Sequence, residues 1–103
     1  MVRIIKISHE EAKRRLGDVP DGKRFWCHDG KVIKNLKELS KALNDMSDET
    51  FHYHLSGGRN DFSKWIREVV GDDKVAEDFS KAKSRMQASQ VVAKSISLLE
   101  RKM

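Results

Sequence analysis

The stretch from Met46 to Gly71, MSDETFHYHLSGGRNDFSKWIREVVG, decides how this chain is read, because it gathers most of the aromatic side chains and two strong helix-start signals. Ser47 followed by Asp48, Glu49 and Thr50 is an N-cap with carboxylates in the first turn, where unpaired N–H groups and the helix dipole favour negative charge. A short helix to about Leu55 follows from it. Ser56-Gly57-Gly58-Arg59 is turn chemistry, and Asn60-Asp61 offers a second N-cap. Beyond that cap Phe62, Trp65, Ile66, Val69 and Val70 fall at i, i+3, i+4, i+7 and i+8, the spacing of one buried helix face. The stretch reads as helix, glycine hinge, helix, a corner built for packing rather than for chemistry.

Working outward on the C-terminal side, Asp72-Asp73 opens a helix with Val75, Ala76, Phe79 and Ala82 inward. Ser84 to Gln87 is a capping box for a long final helix carrying Ala88, Val92, Ile96, Leu99 and Met103 on one side. A stripe so close to the chain end either docks back on the domain or pairs with its copy across a two-fold axis, so a homodimer through this helix is weighed beside a monomer. On the N-terminal side Asn35 caps a helix striped by Leu36, Leu39, Ala42 and Leu43, with Glu38 three residues into it. Lys23 to Cys27 and Lys31 to Lys34 flank His28-Asp29-Gly30, the three-residue connection of a bulged hairpin with glycine last. Alternation sends Phe25 and Cys27 to one face and Trp26 to the other, so one of these bulky rings is either covered by a helix or left partly exposed, and the second case would mark a contact surface. Val2 to Ile7 is β-branched and reads as a strand, and the capping box Ser8 to Glu11 opens a helix that Gly17 closes, with Ala12 and Leu16 inward. The order is strand, helix, hairpin, then five helices. This is an α+β fold in which an N-terminal strand and a β-hairpin pack on a predominantly helical array, spanning residues 1–103 as a single domain.

Composition bounds the rest. The chain of 103 residues supports one modest core, and its apolar and charged fractions of 38% and 36% exclude disorder at this level of patterning. Twenty-one Lys and Arg against 16 Asp and Glu leave a net charge of +5, which allows nucleic acid or acidic protein as partner. A lone Cys27 excludes an internal disulfide framework. The opening MVRIIKISHEE lacks the apolar run of a secretion signal or membrane span, so a cytoplasmic location without membrane partners is expected.

Four constellations bear on chemistry. Cys27, His28, His52 and His54 are metal-ligand types, but His52 and His54 on a helix point about 200° apart and cannot share an ion. Cys27 as a nucleophile needs a lowered thiol pKa and an orienting group, and no motif supplies one, so neither an enzyme nor a cofactor is expected. Leu36 to Leu55 looks like a helix-turn-helix; against that, its turn is one residue longer than usual, and Asp45, Asp48 and Glu49 place carboxylates where phosphates would approach. Lys31, Lys34, Lys37 and Lys41 follow one another along the hairpin and the next helix as a basic surface, with a solvated face as the plainer reading.

Phe51, Tyr53, His54, Asn60, Asp61, Phe62, Trp65 and Ile66 form the pattern F-x-Y-H followed by N-D-F-x-x-W-I. With it, the region from Phe25 to about Val75 resembles a domain of unknown function found in archaeal and some bacterial proteins, and the first strand, its helix and the last helix fall outside the resemblance. It brings no activity. It implies that His54, Asn60 and Asp61 form a polar cluster at the corner, with Asn60 or Asp61 capping the helix and accepting from His54. The reading as a whole is a small basic interaction module without catalysis, its partner a macromolecule, protein before nucleic acid.

Overall fold

The computed structural model describes residues 7–103, so the strand expected over Val2 to Ile7 lies outside the described residues except at its last position. The described elements are α1 (His9–Leu16), β1 (Phe25–Trp26), β2 (Val32–Ile33), α2 (Leu36–Asp45), α3 (Asp48–Tyr53), α4 (Asp61–Trp65), α5 (Asp73–Ser80) and α6 (Arg85–Glu100). Helix dominates, with one two-stranded antiparallel hairpin, and the fold is α+β.

Each helix starts where a short polar side chain can satisfy an orphan donor. Ser8, Asn35, Ser47, Asn60, Asp72 and Ser84 each accept from the N–H three residues on. The return half of the capping boxes differs from expectation. Glu11 does not reach back to Ser8; its carboxylate takes the Arg14 and Arg15 guanidiniums at 2.6 to 2.9 Å, a charge-assisted bond stronger than one to a neutral amide. Gln87 and Glu38 overshoot the cap and accept from the N–H of Lys83 and Lys34, one residue earlier.

The helix expected to run on from Phe62 changes character after α4. Over Ile66–Val70 the backbone widens to a π turn, and both the Gly71 and Asp72 N–H groups converge on the Ile66 carbonyl, at 2.8 and 3.2 Å. Gly71 ends it at φ +80°, and a Cβ there would lie 2.9 Å from Nη2 of Arg14. The same guanidinium donates to the Val70 carbonyl at 3.1 Å, so the absence of a side chain at Gly71 lets α1 clamp the corner.

The hairpin is shorter than the sequence suggests. Phe25 pairs with Ile33 and Trp26 with Val32, and the ladder stops there. The next hydrogen-bonded pair would be Lys23 with Asn35, but the Lys23 N–H goes to Pro20, its carbonyl accepts from the Trp65 indole at 2.8 Å, and Asn35 is already the cap of α2. At the other end the Cys27 N–H bonds the Lys31 carbonyl and Gly30 takes φ +93°, the expected bulged turn.

The buried residues form one cluster with Phe62 at its middle. Its ring stacks on Phe25 at 4.9 Å and Phe51 at 5.7 Å and tilts against Phe79 at 5.5 Å, joining hairpin, α3, α4 and α5. The C-terminal helix α6 docks back, chiefly on α2 and also on α5 and α1. Ala88, Val92 and Leu99 are buried, whereas Met103, expected on the same stripe, lies past the helix end and is exposed. No helix among the described residues is long and apolar enough to cross a membrane.

Candidate contact site at the hairpin and corner

The polar cluster of the corner is organised by His54, the C-cap of α3, which is only 4% exposed between the rings of Phe25 and Phe62. Its Nδ1 lies 3.0 Å from Oδ2 of Asp61, and its Nε2 accepts the His28 backbone N–H at 3.0 Å. A carboxylate on one nitrogen and an N–H on the other fix the neutral tautomer protonated at Nδ1. The Asp61 N–H returns to the His54 carbonyl at 3.0 Å. Asn60 does not touch this pair; its side chain accepts from Ser63 N–H and caps α4. The two acidic or amide residues therefore divide the tasks, Asn60 capping and Asp61 receiving His54. In consequence the hairpin loop is bolted to the corner through an imidazole whose polar atoms are both engaged.

Beyond that bolt the surface is aromatic. Trp26, the ring that alternation turns away from the core, is 73% exposed, and Val32 sits opposite it on β2. His28, two residues along the same face, stacks on Tyr53 with centroids 3.7 Å apart and planes 14° apart. Arg59 lies over the Tyr53 ring at 5.8 Å and within 3.6 Å of Asp61. His28, Tyr53 and Arg59 thus stack in series at the corner, with Trp26 two residues before His28 on the hairpin. Sequence reasoning identified the two-faced hairpin but not the partnership of His28 with Tyr53; the parity of 26 and 28 was the available signal.

The other candidates are dispersed. His28 is stacked, His54 is saturated, and His52 is exposed on α3. Among the described residues no group of three or more His, Cys, Asp or Glu is placed to hold a metal ion. Burial pushes the Cys27 thiol up, the reverse of what a thiolate nucleophile requires. Lys31, Lys34 and Lys37 each face a carboxylate, of Asp45 at 3.9 Å, Asp18 at 4.0 Å and Glu100 at 3.1 Å, while Lys41 is exposed on α2. The helix-turn-helix region holds a second helix of six residues, and Arg85 of α6 pairs with Asp48 at its start. A cleft of about 640 Å³ between α5 and α6 is lined by Val75, Val91 and Leu98 and by the Arg15–Asp72 ion pair.

Residues 25–102 match the family described as Family of unknown function (DUF5752), and the chain belongs to it. The match runs through α6, which the motif-based resemblance had left outside, and leaves out α1. No curated protein and no solved structure matches the chain.

Proposed function

We propose that this protein is a small, basic, non-enzymatic interaction module of the cytoplasm that engages a macromolecule through the outer face of its hairpin and the adjoining corner. The observation that carries the reading is Trp26, an indole 73% exposed on an otherwise well-packed fold. Exposing so much aromatic surface costs about 2 kcal/mol of burial that an inward ring would have gained, and the anchors of contact surfaces are enriched in Trp, Tyr and Arg, all three of which meet here. What supports the non-enzymatic half is that the polar groups of the corner are spent on each other, leaving no base beside a nucleophile.

The test is a pull-down from native extract with wild type and Trp26→Ala, after verifying equal melting of the two. Loss of a captured macromolecule in the variant supports the reading; identical capture overturns it.

A further inference from the structure

We propose that the outer hairpin face binds single-stranded nucleic acid, a base stacking on Trp26 while Arg24 and Lys34 on one side and Arg59 of the corner on the other take the flanking phosphates; this rests on the reading of that face as the contact surface. The period of two sets Arg24, Trp26 and His28 along one face, as the alternating burial of Phe25 and Cys27 confirms. Across from them on the second strand stand Lys34 and Val32. Of the four cations between Lys23 and Lys34 the pleat puts Arg24 and Lys34 on this face and turns Lys23 and Lys31 to the other, and the one carboxylate between them is Asp29. That carboxylate is spent on the turn, accepting the Lys31 N–H at 3.0 Å. The face therefore offers two cations at its open end, with the uncovered π surface of Trp26 beside them.

Its existing ion pairs are of the exchangeable kind. Arg24 holds Asp21 at 2.8 Å, but the aspartate is 92% exposed, and Lys34 stands from Asp18 at the outer limit of ion pairing, 4.0 Å. Such pairs contribute little, and phosphate oxygens replace them readily. At the far end Arg59, half-exposed and 3.6 Å from Asp61, stands as a further cation beyond the His28–Tyr53 stack.

An aromatic platform flanked by cations along an extended strand fits a polymer that repeats a base and a phosphate. A duplex fits less well, since its bases are already stacked on one another and offer the indole no free face. An acidic peptide matches the charge but offers no regular π face to the indole. Sequence alone placed protein ahead of nucleic acid; the alignment of cations on either side of an exposed Trp reverses that order.

The experiment is fluorescence anisotropy of a labelled oligouridylate of about twelve nucleotides, within the usual site size, titrated with the full chain. Parallel titrations use a duplex of the same length, heparin and polyglutamate. The oligouridylate is expected to bind tightest, with log K falling by about 0.7 per tenfold rise in salt for each phosphate neutralised. Trp26→Leu, which keeps an apolar side chain but no stacking face, should weaken it roughly 5- to 100-fold with melting unchanged, and Trp26→Phe should recover part of the loss. No oligouridylate binding, equal affinity for heparin or polyglutamate, or indifference to Trp26→Leu overturns the proposal. If Trp26→Leu loses a protein partner in the pull-down while the oligonucleotide fails to bind, only this proposal falls; if neither changes, the contact-surface reading falls with it.

Discussion

Replacing Trp65 by Ala probes the joint between hairpin and corner more directly than any other single change. The side chain is 6% exposed, edge-on to Phe25 at 6.0 Å, and its indole N–H donates to the Lys23 carbonyl at 2.8 Å. Truncation removes a buried aromatic and leaves a cavity, at a cost of about 3–5 kcal/mol. Lys23 is exposed, so water reaches the freed carbonyl, and the lost hydrogen bond adds only about 1 kcal/mol. Against a whole-domain stability of about 5–15 kcal/mol, the variant should be barely folded at room temperature or melt some 15–30 °C lower. Trp65→Phe keeps most of the packing and gives up the hydrogen bond, so it should cost only about 1–2 kcal/mol. Thermal and urea melts followed by far-UV circular dichroism measure both. An Ala variant melting within about 5 °C of wild type would refute the packing argument, and equal losses in Ala and Phe would move the effect from burial to the indole hydrogen bond.

Four further outcomes are expected. His54→Ala strands the His28 N–H and the Asp61 carboxylate and should cost about 2–4 kcal/mol, whereas a chelator should leave wild-type melting unchanged; a chelator-induced drop would instead make His54 a metal ligand. The Arg14 and Arg15 hydrogen bonds hold the Glu11 carboxyl at about 2 against an ordinary 4.5. The folded-state value is depressed, so this contribution is complete above about pH 4.5 and is lost as pH falls toward 2; solvent screening of a partly exposed cluster limits it to about 1 kcal/mol. Glu11→Gln should flatten that acid limb in urea melts, and an unchanged limb would show that the cluster contributes nothing. Gly71→Ala forces a side chain into positive φ and against Arg14 and should cost about 2 kcal/mol; Arg14→Ala should cost less in that background than in wild type, a coupling that a double-mutant cycle reads directly. Sedimentation should give a concentration-independent monomer of 11.9 kDa, because α6 spends Ala88, Val92 and Leu99 on its own domain; a dimer would mean that Leu98 and Met103 are enough to pair two copies.

What the residues determined unaided lies within three or four positions of itself. Six N-caps, the apolar stripes of α2, α5 and α6, and the Gly30 turn follow from contacts a short segment makes with itself, and these were legible. The opposition of Phe25 and Trp26 was legible too, since it follows from the pleat. Which of the two rings went inside was not, because that depends on Phe62 and Trp65 arriving from a segment some forty residues away. Tertiary structure also shortened the hairpin, by giving the Lys23 carbonyl to Trp65, and opened the π turn, where Arg14 from α1 engages the Val70 carbonyl. It divided the corner between Asn60 and Asp61, since only the fold brings the His28 N–H to the far side of His54. Local propensity sets where elements begin; which donor meets which acceptor across the chain is decided by the packing that all the elements reach together.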